Sequence, residues 1–93
     1  MRKQDGDRIV RDVGRRVAEL RCDLGLTQAE FAEALGIAPN TVQRIEIGRQ
    51  NLPSRTLVRL SDQLGAPVAA LFEAPRSREV RKGRPPRATS PAG

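Results

Sequence analysis

Residues 27–51, TQAEFAEALGIAPNTVQRIEIGRQN, carry the pattern on which the fold turns. Thr27 followed three residues later by Glu30 is the capping-box signature of a helix start, in which each residue's side chain takes the other's backbone N–H. Phe31, Ala32 and Leu35 then mark the apolar side of a short helix. Gly36 follows the last apolar residue, where a left-handed C′ conformation favours a residue without Cβ. Pro39 suits the first turn of a new helix, because the N–H it lacks has no partner there anyway. Val42 and Ile45 mark the inner side of that helix, while Asn40, Gln43 and Arg44 fall within about 100° of arc opposite them. The link between the two helices is Gly36-Ile37-Ala38, with Ile37 expected to point inward and set the angle between them.

Helical spacing continues on both sides. Val13, Val17, Leu20 and Leu24 lie at i, i+4, i+7 and i+11 and predict a first helix; Leu57, Leu60 and Leu64 predict a fourth, and Val68, Leu71 and Phe72 a fifth. Gly25, Gly48 and Gly65 punctuate the ends, and Pro67 suits the start of the last helix. Nowhere do β-branched or aromatic residues alternate with polar ones, so the expectation is an all-α, five-helix domain over residues 8–75, with the first seven or so residues fraying. Gly14 sits inside the first helix at a cost of about 1 kcal/mol relative to alanine. A close backbone approach by another element would explain it.

The chain has 93 residues and a net charge of +6, unevenly spread. Residues 1–75 hold eleven Lys and Arg against ten Asp and Glu, whereas residues 76–93 hold six against one. That segment, rich in Arg, Pro, Ser and Gly with little to bury, reads as a disordered basic tail, a composition common in nucleic-acid arms and in solubilising ends alike. Phe31 and Phe72 are the only aromatics. One Cys and no His offer no metal site and no internal disulfide, which suits a reducing cytoplasm. Cys22 lies off the apolar stripe and reads as incidental. Glu30 and Glu33 stand one turn apart with no cleft implied, so neither an enzyme nor a cofactor is expected. The charged N-terminus lacks a signal-peptide stretch and no run reaches the roughly 18 apolar residues of a membrane span. A soluble, cytoplasmic protein without a membrane partner is the expectation.

A three-residue, glycine-led turn between two short helices has the size and chemistry of a helix-turn-helix, whose second helix can enter a DNA major groove. From Gly14 to Phe72 the chain resembles the Xre/Cro, or lambda-repressor-like, helix-turn-helix family, most sharply in LGLTQAEFA, LGI, RIEIGRQN and LGAPVAALF. The resemblance implies that helix 3, about residues 39–47, is a recognition helix, with Pro39, Asn40, Thr41, Gln43 and Arg44 at positions facing bases or phosphates. It implies backbone-phosphate contacts from Gln28, with Thr27 beside it, and from the Arg49-Gln50-Asn51 loop. Arg21 and Glu46 match a pair that braces helix 1 against helix 3. The side-chain chemistry is compatible: Arg bridges guanine O6 and N7, and Asn and Gln bridge adenine N6 and N7. Arg49 and Arg55 are read as phosphate contacts, with ordinary surface charge as the competing reading.

Three positions depart from the family pattern. Ala38 replaces the usual Ser or Thr cap, Pro39 has no donor, and Ile47, expected on the outward face, stands where polar or basic residues are common, so polar readout rests on Asn40, Gln43 and Arg44. In the tail, residues 81–87, RKGRPPR, resemble an AT-hook around Gly83, Arg84 and Pro85. Arg81, Lys82, Arg84 and Arg87 are its candidate DNA contacts, by sequence-independent attraction or by minor-groove insertion. The resemblance implies a duplex-DNA-binding transcriptional regulator, generally a repressor and a homodimer. The alternative is an antitoxin that controls its own operator and binds a toxin partner. Val68, Leu71 and Phe72 either bury against a twin subunit or close the core.

Overall fold

The computed structural model describes residues 3–77, with side chains from Gly6 onward. Its elements are α1 (Lys3–Asp23), α2 (Gln28–Leu35), α3 (Pro39–Glu46), α4 (Ser54–Leu64) and a 3-10 helix, Val68–Phe72. Val17, Phe31, Val42, Leu60 and Leu71, one from each element, are fully buried and form the centre of the core. Val13, Ala32, Leu35, Ile45 and Leu64 complete it, and Leu20, Leu26, Ile37, Leu52 and Leu57 pack around it. Ile37 thus points inward from the turn between α2 and α3.

The α2 cap forms as the sequence predicts. Thr27 Oγ1 accepts the Glu30 N–H at 3.0 Å, and Glu30 Oε1 accepts the Thr27 N–H at 2.8 Å. At the other end Gly36 adopts φ +72° and the Ile37 N–H returns to the Ala32 carbonyl. The guanidinium of Arg59, on α4, donates to the Leu35 carbonyl and so takes up another free acceptor of that helix end. Thr27→Ala is expected to lower stability by about 1 kcal/mol, read as a lower urea midpoint at unchanged m-value. An unmoved midpoint would mean that solvent serves the Glu30 amide equally well.

Three expectations are corrected. α1 begins at Lys3 rather than near residue 8, since its first turns are built from the straight-chain helix formers Lys3, Gln4 and Arg8 and contain no proline. Leu24 is not on the buried stripe: α1 ends at Asp23, Leu24 is 52% exposed, and Leu26 packs on the core in its place. The fifth helix is a 3-10 segment, in which the i, i+3 pair Val68 and Leu71 share one side while Phe72 is left exposed. Leu71 therefore closes the core and Phe72 does not.

The approach that Gly14 requires is present. A Cβ there would lie under 3.0 Å from the carbonyl oxygens of both Ile45 and Glu46, so α1 rests directly on the last turn of α3. Past the 3-10 helix the chain is held along α1. Arg16 Nε donates to the Ala70 carbonyl (3.1 Å), Arg16 pairs with Glu19 and Glu73, Arg76 pairs with Asp23 (2.7 Å), and the Ser77 N–H reaches Glu19 Oε2 (3.0 Å). The disordered tail expected from residue 76, and its candidate contacts Arg81, Lys82, Arg84 and Arg87, lie outside the described residues from 78 onward.

Candidate nucleic-acid interface

Pro39 occupies the first turn of α3, and Ala38 caps it without a side-chain hydrogen bond, as its methyl group dictates. Burial of Val42 and Ile45 fixes the rotation of the helix about its axis. Asn40, Gln43 and Arg44 are consequently exposed together with Pro39, while Thr41 is half-buried at the margin. The expectation of an outward Ile47 is corrected: it is half-buried and terminates the helix, so it is no part of the outward row. The exposed side thus presents one guanidinium and two carboxamides.

The start of α2 lies beside this face. Its capping box occupies the Glu30 amide, leaving the Gln28 and Ala29 N–H groups at the positive end of the helix dipole, where anions are favoured. Gln28 Nε2 donates to Glu46 Oε1 at 2.9 Å, so the side chain is held in place rather than free in solvent. Glu46 also receives Arg21 in a bidentate pair, Nε to Oε2 at 2.6 Å and Nη2 to Oε1 at 3.0 Å. Arg21 Nη1 closes the set on the Leu26 carbonyl at 2.7 Å. The two charged side chains are 3% and 4% exposed, so the pair sits in the protein interior. Burial pulls the Arg21 pKa down, but the hydrogen bond and charge of Glu46 outweigh it and hold the pKa above its ordinary value. Arg21 therefore stays charged, and the network joins α1, α2 and α3 at one carboxylate.

On the other side of α3 the chain turns at Gly48, whose φ of +79° is left-handed. The Arg49 N–H returns to the Arg44 carbonyl at 2.8 Å, which ties the loop to the exposed row of α3. Arg49 and Asn51 are exposed, Gln50 is half-buried, and Arg55 is exposed in the first turn of α4. Among the described residues, Arg44, Arg49 and Arg55 form no ion pair. The candidate residues thus fall into three adjacent groups: the α2 start, the exposed row of α3, and the loop that follows it. Sequence reasoning missed Arg11, which lies across this loop from α1, and Arg59 at the end of α2. Both act across more than 20 residues of chain, and only the i, i+3 spacing of Arg8 and Arg11 hinted at a basic side of α1.

Comparison with known proteins bears on the family and the fold. A helix-turn-helix family model, HTH_3, matches residues 17–71. An HTH-type transcriptional regulator of Sinorhizobium medicae is 34% identical over 61 residues, covering 66% of this chain and 44% of the relative. The chain thus spans under half the length of that curated relative. Among solved structures, the restriction-modification controller protein C.AhdI of Aeromonas hydrophila superposes with a TM-score of 0.64 at 28% identity, covering 68% of this chain and 96% of its own. The clp gene regulator ClgR of Corynebacterium glutamicum does so with a TM-score of 0.64 at 32% identity, covering 68% and 82%. No helix among the described residues is long and apolar enough to cross a membrane.

Proposed function

The chain belongs to the HTH_3 helix-turn-helix family, and on that premise we propose that it is a sequence-specific, duplex-DNA-binding transcriptional regulator that reads the major groove with α3. The observation that carries this reading is the exposed row Asn40, Gln43 and Arg44, held outward by the burial of Val42 and Ile45. Base edges meet that row, and Arg44 takes a guanine by its O6 and N7. One backbone phosphate meets the free amides of α2 with Gln28 and Thr27, and another meets Arg49, Gln50 and Asn51, with Arg55 beside them. Such contacts position the helix, and the α3 side chains confer preference. The tail, with six cations against one anion over residues 76–93, adds sequence-independent attraction.

Repression as a homodimer on a two-fold operator is the mode of action we propose, with half-sites about 34–36 Å apart. Selection of bound sequences from a random duplex pool tests the reading. A two-fold consensus at that spacing is the expected result, and recovery of unenriched DNA would overturn it. On the selected site, Arg44→Ala is expected to cost about 1–3 kcal/mol and to relax preference at one base pair. Equal loss on selected and random DNA would remove Arg44 from base reading.

A further inference from the structure

We propose that the cleft between α1 and the loop after α3 is a seat for the DNA backbone, in which Arg11 of α1 joins Arg49 on one phosphate. The inference rests on the DNA-binding reading above and adds to it a contact from a helix that has so far served only as a brace. The cleft is an open one of about 290 Å³, lined by Asp7, Val10 and Arg11 from α1 and by residues 48–51 of the loop. It exists because α1 runs back to Lys3, so that its early turns flank the loop.

The close fit at Gly48 fixes the geometry. A Cβ on Gly48 would stand 2.6 Å from Arg11 Cγ and 2.9 Å from Arg11 Cα, so the stem of Arg11 lies against the loop backbone. Arg11 and Arg49 line the same cleft, from α1 and from the loop respectively. Both arginines are exposed, and among the described residues neither forms an ion pair. Arg8, one turn earlier on the same side of α1, is likewise exposed and without an ion pair among the described residues. Asn51 and Gln50 add amide donors. Asp7 is the one carboxylate on the cleft wall and makes no ion pair with either arginine, so the wall carries an excess positive charge. Two guanidiniums with neutral amide donors suit a phosphodiester oxygen pair. Arg11 thus joins Arg49, Gln50 and Asn51 at the phosphate assigned above to the loop.

The test is the salt dependence of binding to a random-sequence duplex, with the full chain and with Arg11→Gln, which keeps most of the stem and removes the charge. Loss of one neutralised phosphate is expected to reduce the slope of log affinity against log salt by about 0.9, so that the affinity lost between about 50 and 200 mM salt shrinks about 3.5-fold. Asp7→Asn, which removes the carboxylate, is expected to tighten binding. An Arg11→Gln protein with wild-type affinity and slope overturns the cleft assignment while leaving Arg44-dependent base preference, and hence the DNA-binding reading, in place. Absence of salt-dependent binding by the wild-type chain overturns both. A melting shift with inorganic phosphate that Arg11→Gln abolishes, alongside an unchanged slope on DNA, assigns the cleft to a free anion and overturns the backbone seat.

Discussion

Gly14→Ala is expected to destabilise the domain by about 3 kcal/mol, the upper part of the range for forcing an added methyl group into a packed contact. Helix propensity alone predicts the opposite sign, because alanine is favoured over glycine in a helix interior by about 1 kcal/mol. Here the added carbon meets the carbonyl oxygens of Ile45 and Glu46, which are backbone atoms that no side-chain rotation can move away. Either α1 lifts from α3 or the last turn of α3 unwinds. Gly6 is the internal control: it lies in the same helix, and a Cβ there meets nothing within 4 Å. Gly6→Ala is therefore expected to raise stability by about 0.5–1 kcal/mol. Urea unfolding of the two variants and the wild type decides the matter. A Gly14→Ala protein as stable as wild type would remove the close approach from the account. Because α1 bears on α3 at this point, the variant should also lose DNA affinity where folded protein remains.

The same residue shows how the sequence and the structure divide the information. Glycine in a helix interior is visible as an anomaly in the sequence, but its partner lies some 30 residues away and no local rule names it. Features whose cause is local were legible: the Thr27–Glu30 cap, the left-handed glycines, the buried Val42 and Ile45, and the outward row between them. The first helix was misjudged at both ends. Its start was read as frayed over the first seven or so residues, which contain little to bury, yet α1 extends back to Lys3. Its end lost Leu24 because the chain turns at Gly25, whose φ is +74°, and the Leu26 carbonyl there accepts from Arg21. The last segment gave too short a pattern to separate a 3-10 from an α-helix, since Val68 and Leu71 satisfy both spacings. At the interface, the exposed row is a matter of periodicity, whereas the placement of Arg11 against Gly48 depends on how α1 crosses α3.

Glu46→Ala is expected to cost about 3–5 kcal/mol, because it strands the buried Arg21 guanidinium without its carboxylate. Two of that guanidinium's hydrogen bonds go to Glu46, and only the bond to the Leu26 carbonyl survives the change. For a domain of this size such a loss approaches the whole stability, so the single variant should be largely unfolded at ambient temperature. The double replacement Arg21→Met with Glu46→Leu removes both charges together and fills similar volume, and it is expected to recover most of the loss. A double variant less stable than the single would show that the ion pair itself, rather than the stranded charge, holds the helices together. The recovered protein then isolates what Glu46 does for binding. With the bond from Gln28 Nε2 gone, the side chain at the start of α2 is free to rotate, and its phosphate contact weakens. The expected signature is a salt slope smaller by up to about 0.9 with base preference at the Arg44 position intact, since α3 still presents its exposed row. A wild-type slope in the double variant would mean that the α2 amides, and not the tethered glutamine, supply that contact. The buried carboxylate thus has two separable roles, compensating Arg21 in the interior and holding Gln28 at the surface, and the paired variants measure each by a different readout.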